Sequence, residues 1–112
     1  MSPSVEDRLR DILEAITEIE GLVANGSLVQ FTADKTGRMA TERYLEIICE
    51  AARRLTDDVK RDAPDIEWRK MIDFGNVLRH AYHATNVEMV WDIVQNDLAP
   101  LKAFVIRKIA TS

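Results

Sequence analysis

The sequence predicts an all-α fold, an up-and-down four-helix bundle with a short extra helical turn. Three observations predict it. Apolar residues recur at spacings of three and four along most of the chain, the period of a helix that buries one face. Only four Gly and three Pro occur in 112 residues, too few for the many tight turns of a small all-β domain. Cap and stop residues fall between the periodic stretches, which leaves short connections.

The first helix opens at Ser2-Pro3-Ser4. Pro3 suits a first-turn position, Ser2 or Ser4 can cap, and Glu6 and Asp7 favour the positive end of the helix dipole. Val5, Leu9, Ile12, Leu13, Ile16, Ile19, Leu22 and Val23 form its apolar stripe, and Asn25-Gly26 ends it. Residues 27–37 are read as a turn that packs Leu28 and Phe31 on the core, with 34–37 a bend or the irregular start of the next helix. Residues 39–55 are helical, with Tyr44, Leu45, Ile48, Cys49, Ala52 and Leu55 inward. Glu42, Arg43, Glu46, Glu50, Arg53 and Arg54 form the solvated remainder. Residues 56–65 read as a polar connector, in which Pro64 disfavours helix at Ala63 and Asp65 is placed to cap a helix over 66–82. Thr85 and Glu88 have the spacing of a capping box for a last helix. That helix carries Val87, Val90, Trp91, Val94, Leu98, Leu101, Val105 and Ile109. Pro100 predicts a kink or break near 96–99.

Composition narrows the function. Apolar residues make up 46% and charged residues 30%, as in a soluble globular chain, and the length suits one domain over 1–112. A net charge of −4 argues against bulk electrostatic capture of nucleic acid, although it leaves room for a local basic cleft. The single cysteine, Cys49, cannot form an internal disulfide and sits among apolar neighbours, the pattern of an inert buried thiol. The first residues lack the layout of a signal peptide, and no apolar run approaches the about 20 residues that span a bilayer, so the expected location is cytoplasmic with no membrane association. No phosphate-loop, HExxH or CxxC pattern is present, and no cofactor is implied.

Residues 68–82, WRKMIDFGNVLRHAY, hold the densest chemistry. At about 100° per residue, Trp68, Met71, Phe74, Leu78 and Tyr82 share one broad arc toward the bundle. His80 points the other way, with Arg69, Asp73, Asn76 and His83 near it and Arg79 beside the stripe. This polar face is either simply solvated or, because Ile72 and Val77 border it, part of a partly buried interface. Were two copies to meet across a two-fold axis, each would bring His, Asn and Arg to one cleft. Paired imidazoles can take and give a proton while Arg stabilises an anionic phosphorus centre, the chemistry of a ribonuclease that uses the RNA 2′-hydroxyl without metal. His80 and His83 sharing a metal is the weaker reading, since only Asp73 offers itself as an acidic partner. By helix geometry Tyr82 belongs either to the core or, if the helix frays at its end, to the cleft.

The run WRKMIDFGNVLRHAYHATNVEMVWDIVQNDLAPLK resembles the C-terminal half of HepT-like proteins of the HEPN superfamily. ATERYLEIICEAARRL resembles that family's R-x-L-E-x-I-x-E-A helix. The resemblance implies a toxin component of a toxin-antitoxin pair: a helical, dimeric endoribonuclease partnered by a minimal nucleotidyltransferase antitoxin that transfers AMP to a motif tyrosine. The family motif is Arg, four residues, His, any residue, Tyr. It places His80 as catalytic, Asn76 as supporting and Tyr82 as the AMP acceptor; Arg69 and His83, which share the polar face of the helix with His80, are candidate RNA contacts. The motif Arg position is Gly75 in this chain, and Arg79 or Arg69 is the candidate replacement cation. The departure at Gly75 supports an alternative, a weak or inactive nucleotide- or RNA-binding partner subunit of the nucleotidyltransferase. A four-helix scaffold with no site is the plainest reading.

Overall fold

The computed structural model describes residues 3–80 and 86–111, and these are all-α, with no strand among them. Seven helices follow in order: α1 (Pro3–Val23), α2 (Leu28–Ala33), α3 (Lys35–Arg54), α4 (Asp57–Arg61), α5 (Trp68–His80), α6 (Val87–Asn96) and α7 (Leu98–Ala110). The predicted long helices are present. The extra ones are two short helices in the connections and the split of the last helix into α6 and α7.

Helix α1 starts at Pro3 and buries Val5, Leu9, Ile12, Ala15, Ile16 and Ile19; of the rest of the expected stripe, Leu13 and Val23 are only partly buried and Leu22, near the helix end, is exposed. It stops where Asn25 adopts a positive φ of 58° and Gly26 N–H donates to the Val23 carbonyl. The stretch read as a turn is α2. Ser27 accepts from Gln30 N–H while the Gln30 side chain accepts from Ser27 N–H, a reciprocal cap, and Phe31 is buried. Asp34 then caps α3 through Gly37 N–H at 2.9 Å, so α3 begins at Lys35, before the expected start at 39. The connector holds α4, capped by Thr56 and anchored by buried Val59. An apolar residue directly after Thr-Asp-Asp was the overlooked signal.

Two expected caps are not where the sequence reading put them. Helix α5 begins at Trp68 rather than Ile66, so Asp65 is too far upstream to cap it. The Trp68 indole N–H instead donates to the Lys60 and Ala63 carbonyls, which fixes the chain where Pro64 interrupts helix. For α6 the cap is Asn86, whose Oδ1 accepts from Glu88 N–H at 2.8 Å and Met89 N–H at 3.2 Å. Thr85 lies outside the described residues. The break expected near 96–99 occurs at Asp97, which leaves Pro100 in the first turn of α7, where its missing N–H has no intrahelical acceptor to lose.

Helix α1 packs most extensively against α3, α3 against α5, and α1 against α7; α2 covers α3 and α6. Phe31 and Trp91 join α2 to α6 with ring centroids 5.2 Å apart, and Trp68 meets Phe104 of α7 edge-on at 5.8 Å. Met71 and Phe74 are the buried apolar side chains of α5, each contributing about 1.5–3 kcal/mol on the usual scale of burial. Trp68 and Leu78 pack partly buried beside them.

Helices α3 and α5 approach closely at one point. Gly75 is buried against Cys49, and a Cβ placed on Gly75 would lie 2.6 Å from the Cys49 Cβ. The two backbones meet at this distance only because one position has no side chain. Burial, aided by the charge of Glu46, pushes the Cys49 thiol up to about 12, in keeping with an inert packing cysteine. Gly75→Ala should therefore destabilise the protein by about 1 kcal/mol, because the overpacking outweighs the gain in helix propensity. In a Cys49→Gly background the same substitution should be neutral or stabilising. Denaturant midpoints of the four proteins in this cycle measure the coupling; an equal Gly75→Ala effect in both backgrounds would show that the contact is not the cause.

Candidate active site

The polar face of α5 is formed as the helical projection predicts: Arg69, Asp73, Asn76 and His80 are all exposed, and Val77 beside them is 40% exposed. Position along the helix separates them. Arg69 lies in the first turn, about 16 Å of helix rise from His80, and its guanidinium pairs with Asp73 at 3.3 Å. Within one protomer Arg69 is therefore remote from His80. Asn76, Arg79 and His80 do cluster, on the last turn and a half of α5. Tyr82 and His83 lie outside the described residues. Among the described residues no group of three His, Cys, Asp or Glu side chains is arranged to hold a metal ion.

Arg79 is the most constrained of the cluster. One guanidinium nitrogen donates to the Asn76 side-chain oxygen one turn back. Another reaches across to α3, 3.4 Å from a Glu50 carboxylate oxygen. The α3–α5 contact makes this possible. Gly75 on Cys49 brings the next turn of α5 beside the neighbour of Cys49 in sequence, Glu50. A bulkier contact at position 75 would move Arg79 away from its partner.

Glu50 was read from the sequence as one more solvated charge. It is the hub of the cluster. Arg53 donates to both its oxygens, at 2.7 and 3.1 Å, and Arg54 donates at 2.9 Å. With Arg79, three guanidiniums share one carboxylate, so the group as a whole stays positive. The spacing of Glu50 to Arg53 and Arg54 is legible in the sequence; the link to Arg79, 29 residues away, is not.

These neighbours hold the Glu50 carboxyl well down, to about 2 from its ordinary 4.5, chiefly through the hydrogen bonds from Arg53 and then Arg54. A carboxyl lowered on folding contributes stability above its unfolded value, and that contribution disappears as pH falls through the folded value. Stability should therefore drop between about pH 4.5 and about 2 in part because Glu50 takes up a proton. Glu50→Gln should flatten that segment of a plot of denaturant midpoint against pH. An unchanged slope in the variant would remove Glu50 as a contributor. The side chain is 35% exposed, so the effect will be weaker in high salt.

A hollow of about 300 Å³ opens beside this cluster, among α1, α3 and α5, with Gly75, Asn76 and Arg79 along one wall. Arg8, reaching in from α1, is the residue of this region that no motif in the sequence singled out.

Comparison with known proteins agrees with this architecture. The family described as Ribonuclease HepT-like matches residues 12–107. A protein of Thermococcus cleftensis named "Probable ribonuclease HepT" is 39% identical over 102 residues, covering 91% of this chain and 93% of the relative. A protein of Methanocaldococcus jannaschii named "Putative RNase MJ1380" is 32% identical over 94 residues, covering 84% of this chain and 86% of the relative. No solved structure matches. The chain, with its all-α fold and its His80-bearing α5, belongs to the Ribonuclease HepT-like family.

Proposed function

We propose that the chain is a metal-independent endoribonuclease that acts as a homodimer, with the polar ends of two α5 helices facing one cleft. The observation that carries this reading is the fixed guanidinium of Arg79, held by Asn76 and Glu50 one residue before His80. A positive charge is thus set at the His80 end of α5, although the motif Arg position is Gly75. Because Glu50 is shared among three guanidiniums, it does not neutralise Arg79.

In this mechanism one His80 imidazole accepts the proton of the RNA 2′-hydroxyl. The 2′-oxygen forms a bond to phosphorus, and the bond from phosphorus to the 5′-oxygen breaks, leaving a 2′,3′-cyclic phosphate. The 5′-oxygen takes its proton from the imidazolium of the second copy. Arg79 stabilises the extra negative charge on the phosphorus oxygens, and Asn76 orients Arg79. Purified protein should cleave a generic RNA in EDTA. His80→Ala should reduce the rate by about 100-fold or more, and Arg79→Ala by a comparable factor. Undiminished cleavage by folded His80→Ala would remove His80 from the mechanism.

Gly75 favours a second reading, a binding subunit with little or no cleavage. Reinstating the motif residue does not test it cleanly: Gly75→Arg places a Cβ within 2.6 Å of Cys49, so it alters the packing of α3 on α5 as well as the chemistry. The wild-type cleavage assay decides between the readings.

The toxin-antitoxin assignment rests on the family motif. A nucleotidyltransferase antitoxin would transfer AMP from ATP to Tyr82: the phenolic oxygen bonds to the α-phosphorus, pyrophosphate leaves, and the phenol proton passes to a base. Incubated with such an enzyme and ATP, the protein should gain the mass of one or more AMP groups, and Tyr82→Phe should gain none. Equal labelling of Tyr82→Phe would place the acceptor elsewhere.

A further inference from the structure

The hollow among α1, α3 and α5 is not accounted for by the reaction at His80. Its lining has four arginines, Arg8, Arg43, Arg53 and Arg79, against three carboxylates, Asp11, Glu46 and Glu50, in a chain whose net charge is −4. Most of these cations are already paired. Arg43 lies 3.4 Å from Glu46, and Arg53 and Arg79 share Glu50. Arg8 differs. It is half-buried at the wall of the hollow, and no carboxylate among the described residues lies within ion-pair distance of it. Asp11 is one turn away on α1 but does not reach it.

A partly exposed arginine without a carboxylate partner among the described residues, beside a carboxylate shared by three other guanidiniums, is a local positive focus in an acidic protein. Its ligand should be an anion that enters a hollow of about 300 Å³ and reaches both Arg8 and the edge occupied by Arg79. Arg79 directly precedes His80 in the sequence, so the hollow adjoins the end of α5 that carries the motif histidine. We propose that this hollow is a phosphate subsite for single-stranded RNA, in which Arg8 contacts a backbone phosphate adjacent to the one that is cleaved. The inference rests on the ribonuclease reading for the identity of the ligand. It adds a residue from a helix that the family motif does not reach. Asp11 at the same wall would oppose any anion there, which favours one phosphate over a compact polyanion.

The test separates binding from cleavage. Binding of a short single-stranded oligoribonucleotide is measured in His80→Ala protein across a series of salt concentrations, with and without Arg8→Gln. Loss of one phosphate contact should weaken binding about fivefold, independently of sequence, and reduce the slope of log K against log salt by about 0.7. Asp11→Asn should act in the opposite direction and tighten binding. In protein with His80 intact, Arg8→Gln should raise KM for a long RNA with little change in kcat. It should leave cleavage of a dinucleoside monophosphate unaltered, because that substrate has only the scissile phosphate.

An unchanged salt slope, or equal losses on the long RNA and the dinucleotide, would overturn the subsite and leave the ribonuclease reading intact. An Arg8-dependent slope in a protein that never cleaves would support the subsite and overturn the nuclease reading. Absence of RNA binding overturns both. Displacement of the RNA by low millimolar inorganic phosphate at matched ionic strength would identify a site for a free anion and overturn the assignment to RNA backbone.

Discussion

The contact on which the candidate site depends is between a backbone and a methylene. Gly75 lies against Cys49 so closely that no other residue fits without moving α3 or α5. Protein interiors are packed at crystal-like density, and adjustments of a few tenths of an ångström propagate along rigid helices. The separation of α3 and α5 therefore sets where every side chain one turn along will meet. Glu50 follows Cys49, Arg79 is one turn past Gly75, and their pairing is a consequence of that spacing. The position at which the family motif has a cation is here given over to packing, and a cation arrives from the next turn.

The electrostatic arrangement follows from the same geometry. A surface carboxylate bound by one arginine contributes little, since water screens the pair and two long side chains must be ordered. Three guanidiniums on one carboxylate are different in function more than in stability. They position one another and leave a positive excess that an incoming phosphate can use. Glu50 acts as a template for the arginines rather than as their neutraliser. Asn76 completes the restraint on Arg79 from within α5. That division of labour makes a net charge of −4 compatible with the proposed RNA substrate.

The remainder of the fold holds the start of α5. The Trp68 indole ties its start to the α4 region and its ring packs on Phe104 of α7, while Lys70 pairs with Asp97 at the α6–α7 break at 2.8 Å. The start of α5 is thereby fixed by long-range contacts and not by a local cap, which is why reading Asp65 as the cap misplaced it by two residues. At α6 the cap is local, and Asn86 accepts the free N–H groups of Glu88 and Met89. Boundaries shift in this way because several polar residues near a helix end can cap it, and packing selects among them.

The sequence by itself determined the helical class, the apolar faces of α1, α3 and α5, the break before Pro100, the buried cysteine, and the outward face that carries Asn76 and His80. Each is a consequence of periodicity or of a local backbone rule, and such rules act over a few residues. Family motifs added His80 and the departure at Gly75. Only the tertiary structure decided that Gly75 is a packing residue, that Arg79 links Asn76 of its own helix to Glu50 of α3, that Arg69 is remote from His80 within a protomer, and that Arg8 stands beside the cluster. The physical reason is that charge pairing between helices depends on their separation and rotation. Those quantities are fixed by the sum of the core contacts and have no signature in the spacing of any one segment.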